Sequence, residues 1–532
     1  MQPTNHRLTR RQFMGLGAGA FTAFAVSCAS PTATAIQPTT TNAAAATVPP
    51  TATTQLTQAT TQLINAQPPT TVPSFVELEL MATVSQMQLF DGQPTTVWRY
   101  EGRVLQGDPN ALQPLENSYL GPTIRLQRGQ RVRIHFQNDL PEESVIHWHG
   151  LIVPEEADGH PRDVVGTGGR YTVEFDVINR AGTYWYHPHP DMRTGPQAYY
   201  GLAGLLIVTD EEEQSADLPI GAFDVPLVLQ DRSFDANNQL VYSNNMMDGM
   251  TGFLGNQMVI NGQVDHTLDV ATRPYRLRLL NGSNSRIYKL GLSDRSPLTV
   301  IATDGGLLAQ PAERPYVMLA PGQRVELWVD FGRYAVGNTP ILQSLPFFNS
   351  PSTFDVVRVN VVEESAETQS LPTQLSTITA LQPQDATSQR DVGLAMARMQ
   401  WSIDGRTYEL NGVAAEERVK ANEVASWTFV NQGGGGRGMM GGGMMELPHP
   451  MHVHATQFQV VDRQIDAAAR ADWEQVREGF VDEGWRDTVI VMPGERVTVL
   501  MPFTDYLGTF VYHCHNLEHE DMGMMRNFEV VA

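Results

Sequence analysis

One stretch of this chain occurs twice. Gly182-Thr183-Tyr184-Trp185-Tyr186-His187-Pro188-His189 returns as Gly508-Thr509-Phe510-Val511-Tyr512-His513-Cys514-His515. Such a run, aromatic and β-branched, reads as a strand. A second element appears three times, as Gly129-Gln130-Arg131-Val132, Gly322-Gln323-Arg324-Val325 and Gly494-Glu495-Arg496-Val497. Each opens an alternating apolar/polar segment, the period of a half-buried strand. The spacing implies three related domains of roughly 130–160 residues, near the usual domain size. Frequent short strands and few helical periodicities make them β-sandwiches. The expected bounds are 73–215, 216–364 and 391–532, with a polar linker over 365–390.

The second copy of the repeat carries the chemistry. On a strand, successive side chains face opposite sides, so Cys514 points away from His513 and His515. Thiolate, imidazole and thioether together suit a blue-copper electron-transfer centre, and Cys514, His519 and Met524 supply all three from one segment. The flanking histidines can hold a second metal centre on the opposite face. One strand then joins two metal sites over a path on the order of 10 Å.

Composition narrows the alternatives. A formal charge of −22, with no basic cluster beyond the extreme N-terminus, argues against nucleic acid as a partner. The only cysteines are Cys28 and Cys514, so no disulfide framework is expected. Residues 1–35 are expected to be a targeting signal. Thr9-Arg10-Arg11-Gln12-Phe13-Met14 resembles a twin-arginine export signal, and the apolar run behind it is too short for a permanent anchor. The destination is then the periplasm or cell envelope. Processing has two readings, lipidation at Cys28 with a membrane tether, or cleavage after Ala33-Thr34-Ala35. Residues 36–72 are Thr/Pro/Ala-rich and cannot bury a core.

Four histidine clusters hold ten of the fourteen histidines: His147-Trp148-His149, His187-Pro188-His189, His449-Pro450-Met451-His452-Val453-His454, and His513-Cys514-His515 with His519. A single His-x-His pair is usually structural. Four of them in two related domains, with a cysteine inside the last, require metal. Residues from about 73 to 532 resemble the multicopper oxidase family, whose ligand segments occur here in order. The resemblance implies all-β, cupredoxin-like (Greek-key) domains and four coppers per chain. A type 1 copper would sit at His449, Cys514 and His519 with Met524 axial. A type 2 copper would sit at His147 and His452. A type 3 pair would be held by His149, His187, His189, His454, His513 and His515. The middle domain, without histidine pairs, would be a spacer. Asp158 and Glu520 occupy positions where bacterial members carry proton-relaying acids; the alternative is a hydrogen-bond acceptor for a metal-bound imidazole.

The implied reaction is one-electron oxidation of a reductant at the type 1 copper, coupled to four-electron reduction of O₂ to water. Methionine is dense beside His449 in the Gly-rich segment 433–445, and Met439, Met440, Met444, Met445 and Glu446 form a candidate Cu(I) substrate site. An adaptable apolar surface for an organic substrate is the competing use of those methionines. The ending His519-Glu520-Asp521-Met522-Gly523-Met524-Met525 also looks like the bacterial cuprous oxidases. Those often carry a long Met/His-rich insertion, whereas the corresponding region here, about 390–404, has only Met396 and Met399. The readings that stand are a Cu(I) oxidase, a laccase acting on phenols, an Fe(II) or Mn(II) oxidase, and a non-catalytic copper-binding scaffold. A monomer is expected. His135 and His266 are expected to be solvated; His160, close to Asp158, is expected at the surface, the alternative being a hydrogen-bonding place behind a metal-bound residue.

Overall fold

The computed structural model describes residues 75–532 apart from 244, 349, 398 and 433–445. The segments 1–35 and 36–72, Cys28, and Met439, Met440, Met444 and Met445 lie outside the described residues. Strands dominate, and the longest described α-helix is Thr194–Tyr200. No described helix is long and apolar enough to cross a membrane.

The strands form six sheets that fall into three pairs along the chain. Residues 75–209 supply a four-stranded and a five-stranded sheet, residues 224–363 a seven-stranded and a five-stranded sheet, and residues 386–531 two five-stranded sheets. The described residues form three consecutive cupredoxin-like β-sandwiches. Phe75–Met87 shows how the sequence builds them. Val76, Leu78, Leu80 and Ala82 are fully buried, while Glu77 and Glu79 between them turn outward. Period-two burial of this kind lines one face of a sheet against its partner. The strand runs parallel to Arg131–Asn138 and antiparallel to Thr95–Gln106. Each sandwich has its own apolar cluster, centred on residues such as Phe136 and Tyr186, Leu279 and Leu327, and Phe429 and Phe528.

Two features differ from the sequence reading. The strand Ala386–Ala397 starts inside the segment expected to be linker, because its first residues already pair with Val424 and Ala425. His160 is fully buried, not on the surface. Its Nε2 faces Asn527 Oδ1 at 3.0 Å and its Nδ1 accepts from the Arg162 amide at 3.2 Å. The histidine thus fastens a first-sandwich loop to the third sandwich.

Candidate metal centre

Strand pairing sorts the histidines. Ile146–His149 lies antiparallel to Gly182–Pro188, with His147 opposite His187 and His149 opposite Trp185. Directly opposed residues share a face. His147, His149, His187 and Trp185 therefore stand on one side of this sheet, and His189 continues the alternation. In the third sandwich, His449–Val453 lies beside Gly508–Cys514, with Met451 opposite Cys514 and His452 opposite His513. Parity then divides this sheet. His449 joins Met451 and Cys514 on one face, while His452, His454, His513 and His515 take the other.

That second face meets the histidine face of the first sandwich. The rings of His147 and His454 stack with centroids 3.7 Å apart, as do those of His149 and His452. Trp185 packs against His187 at 4.2 Å and His149 at 5.2 Å. The eight imidazoles are all buried.

The ring nitrogens are oriented by acceptors behind them. His147 Nδ1 donates to the Asp158 carbonyl at 2.8 Å, and His452 Nδ1 to the Asp487 carbonyl at 2.8 Å. Carbonyls only accept, so the protons sit on Nδ1 and each Nε2 carries a bare lone pair. Those two Nε2 atoms face each other at 3.4 Å. His454 Nδ1 faces Asp158 Oδ2 at 2.8 Å and His513 Nδ1 donates to the Cys514 carbonyl at 3.1 Å, leaving their Nε2 atoms 3.2 Å apart, with His189 Nε2 3.3 Å from that of His513. His149 is reversed. Its Nε2 faces Asp487 Oδ1 at 3.1 Å, and its Nδ1 lies 3.2 Å from His515 Nε2. His187 donates Nδ1 to the Pro188 carbonyl, and its buried Nε2 has no hydrogen-bond partner.

Facing lone pairs repel unless a cation lies between them. Two imidazole nitrogens bound at about 2.0–2.1 Å in tetrahedral geometry stand about 3.3–3.4 Å apart, the spacing seen here. Among the described residues, the grouped donors that could hold an ion are His147, His149 and His452; His149, His187 and His515; His189, His454 and His513; His147, Asp158 and His454; and, on the other face, His449, Cys514 and His519.

In the last group, Cys514 Sγ lies 3.5 Å from His449 Nδ1 and 3.7 Å from His519 Nδ1, and the two nitrogens are 3.3 Å apart. His519 Nε2 donates to the Met250 carbonyl at 3.2 Å, which leaves Nδ1 unprotonated. Met524 is buried in the same apolar cluster, and its carbonyl accepts from the Cys514 amide at 3.0 Å. Burial pushes the Cys514 thiol up and lowers the His449 imidazole from its ordinary 6.5 to about 3. Burial, then the charge of neighbouring imidazoles, holds His149, His187, His189, His452 and His454 well below their usual range. Neutral imidazoles are ready to donate, and a thiolate here needs a cation beside it.

Both sequence-designated acids reach the histidine cluster. Asp158 touches His454 and His147, with Oδ1 3.5 Å from His147 Nδ1. Glu520 Oε2 lies 3.1 Å from His513 Nδ1, and Oε1 lies 3.7 Å from His189 Nε2. Glu446 is half-buried three residues before His449. Several site residues carry no motif. Asp487 and Thr488 flank His149 and His452. Trp401 covers His519 and His449 with ring centroids at 4.4 and 4.7 Å, and its Nε1 donates to the Met250 carbonyl. The buried Glu518 carboxylate accepts from Tyr242 and Asn284, both at 2.9 Å, and from Ser285.

Comparison with known proteins agrees with this geometry. Multicopper oxidase family models match residues 96–213 and 377–532. The multicopper oxidase mco of Staphylococcus aureus is 31% identical over 413 residues, covering 77% of this chain and 82% of that protein. The chain belongs to the multicopper oxidase family. A laccase of Bacillus stratosphericus is 28% identical, with 83% and 92% covered. The crystal structure of McoA multicopper oxidase from Aquifex aeolicus superimposes with a TM-score of 0.73 at 34% identity, over 87% of this chain and 99% of that one. The protein is therefore a copper oxidoreductase. Its imidazole and thiolate donors are those that copper takes.

Proposed function

We propose that this multicopper oxidase takes single electrons from a reductant at the His449–Cys514–His519 face and reduces O₂ to water at the histidine cluster on the other face. The observation that carries this reading is the parity of one strand. Cys514 belongs to the first site while His513 and His515, its covalent neighbours, belong to the second. Four coppers would be held: one by His449, Cys514 and His519 together with Met524, one by His147 and His452, and a pair by His189, His454 and His513 and by His149, His187 and His515. Bound copper supplies one-electron steps that together meet the four-electron demand of O₂.

The chain's own residues do the rest. Cys514 and its flanking peptide join the two sites covalently. Trp401 and the Met250 carbonyl fix the His519 ring and exclude water from that side. Asp158 orients His454 and sits where it can deliver protons to the cluster. Glu520 does the same beside His513 and His189.

The reductant is proposed to be Cu(I), phenols, or both. Met246 is 63% exposed, Met247 50% and Met399 49%, and half-buried Met522 packs against Gly249. The helix Met246–Thr251 includes the Met250 carbonyl bonded to His519, and the turn at Met399 adjoins Trp401. Thioethers here favour a soft cation. A phenol is the second reading, favoured by the likeness to a laccase. O₂ uptake by copper-loaded protein with Cu(I) as sole reductant, beside a phenol without added copper, separates them, with Cys514→Ser as the dead control. Fast uptake with Cu(I), and phenol oxidation only on adding Cu(II), supports the first. Phenol oxidation without added copper, and little response to Cu(I), leaves a laccase. Export to the cell envelope through the twin-arginine motif, with Cys28 as a lipid anchor, is proposed on the sequence alone.

A further inference from the structure

The middle sandwich offers no grouped metal donors among the described residues, yet one of its loops reaches the histidine cluster. This loop is the second copy of the recurring Gly-Gln-Arg-Val element. A Cβ built on Gly322 would meet His515 Cδ2 at 2.8 Å and His149 Cε1 at 3.1 Å. Gln323 Nε2 donates to the Thr488 carbonyl at 3.0 Å. Arg324, fully buried, goes further. Its Nε donates to the Thr183 carbonyl at 2.8 Å. Its Nη1 donates to the Gly322 carbonyl at 3.1 Å and Asp487 Oδ1 at 2.7 Å. Its Nη2 donates to the Asp304 carbonyl at 3.0 Å and Asp487 Oδ2 at 2.6 Å. A guanidinium has five N–H bonds, and all five are used. The acceptors come from all three sandwiches.

Asp487 passes this order on. Its Oδ1 also faces His149 Nε2 at 3.1 Å and accepts from Thr488 Oγ1 at 2.9 Å, and its carbonyl accepts from His452 Nδ1 at 2.8 Å. One aspartate thus sets the ring of a histidine from each metal-bearing sandwich. Gly150, directly after His149 at φ +86°, leaves the space the pair needs, because a Cβ there would fall on Asp487 Oδ2 and Arg324 Nη2.

We infer that Arg324 of the middle sandwich is a positioning residue of the O₂-reducing site, clamping Asp487 so that His149 and His452 present fixed lone pairs to copper. The inference rests on the proposed assignment of those histidines as copper ligands. It gives the middle sandwich, read from sequence as a spacer, a part in the reaction. Arginine is required there because a lysine cannot bridge both carboxylate oxygens while also satisfying three carbonyls.

The test uses full-length, copper-loaded protein and four variants: Arg324→Gln, Arg324→Lys, Asp487→Asn, and the control Arg278→Gln. Arg278 is equally buried and ion-paired, but with Glu213, Asp224 and Glu326. Three quantities are read: the Cys514–Cu(II) visible absorption, the EPR spectrum of the type 2 copper, and copper retention against a chelator. The visible band reports folding of the third sandwich independently of the cluster. Arg324→Gln and Asp487→Asn are expected to keep that band, alter the type 2 spectrum and weaken cluster copper about 10- to 100-fold, the usual effect of removing such support. Arg324→Lys falls between, the Arg324→Gln/Asp487→Asn double variant adds little to either single, and Arg278→Gln leaves the type 2 spectrum unchanged. Should Arg324→Gln not fold, the near-isosteric Asp487→Asn decides. A wild-type type 2 spectrum and copper retention in Asp487→Asn or Arg324→Gln overturns the inference, as does an equal change in Arg278→Gln. Wild-type protein with the visible band but no cluster copper would instead overturn the site assignment itself.

Discussion

Asp158 separates positioning from proton transfer. It is fully buried, and its Oδ2 receives His454 Nδ1 at 2.8 Å. A hydrogen bond to a carboxylate contributes about 1.5–3 kcal/mol net, and a neutral one about 0.5–1.5 kcal/mol. Asp158→Ala removes the bond and leaves a buried N–H without a partner. At 1.4 kcal/mol per decade, copper held through His454 should then bind about 10- to 100-fold more weakly. Asp158→Asn keeps an acceptor oxygen at the same reach, so its copper affinity should fall by only about 5-fold, a loss near 1 kcal/mol. An amide cannot pass a proton, however, and a positioned acid or base contributes about 10²–10⁴ in rate. Asp158→Asn should therefore keep nearly full copper and reduce O₂ at least about 100-fold more slowly. The assay pairs a chelator titration with O₂ uptake on whichever of Cu(I) and a phenol the wild type oxidises. Near-wild-type turnover by Asp158→Asn would refute the proton role, and unchanged copper affinity in Asp158→Ala would refute the positioning role.

Other perturbations have equally definite outcomes. Trp401→Ala removes the ring over His449 and His519, should cost about 3–5 kcal/mol, and should speed loss of the Cys514 copper to a chelator; an unchanged loss rate counts against Trp401 as its cover. Gly129 and Gly150 both have φ near +90°, but a Cβ meets nothing at Gly129 and the Asp487–Arg324 pair at Gly150. Gly129→Ala should cost about 1–2 kcal/mol, and Gly150→Ala about 1–3 kcal/mol more from overpacking; equal denaturant midpoints would deny the tight fit. Copper-free protein should lose stability as pH falls. His449 has a folded pKa of about 3 against 6.5 unfolded, so between these values the unfolded chain binds the extra proton, and the stability present above 6.5 is lost towards 3. Copper competes with the proton, so urea midpoints of loaded protein should hold to lower pH; coincident profiles would contradict buried neutral imidazoles.

What the sequence made legible follows from the period of a strand. Alternation places Cys514 away from His513 and His515, and it makes His449, three residues before His452, face the opposite side. Those relations need no tertiary information. The all-β, three-sandwich plan was legible for the same reason, since motifs recurring at domain spacing also mark strands. Residues acting through space were not legible. Asp487 is an ordinary acid before a short strand, and Trp401 looks like one more core aromatic. Arg324 sat in a recognised repeat, but only the fold reveals that two of its five donors reach the Asp487 carboxylate, beside His149 and His452. His160 misled because a lone histidine near a turn is usually solvated, and its partner Asn527 lies 367 residues away.

The central claim is that one Cys514-bearing strand links an electron-accepting copper to a cluster that reduces O₂ completely. The most direct measurement is copper content together with the fate of O₂, in wild type and Cys514→Ser. Wild type should bind about four coppers per chain and convert O₂ to water without releasing peroxide. Cys514→Ser should lose one copper and its visible absorption, keep the histidine-bound copper, and stop turning over. Peroxide as the main product, or steady turnover by Cys514→Ser, would contradict the account.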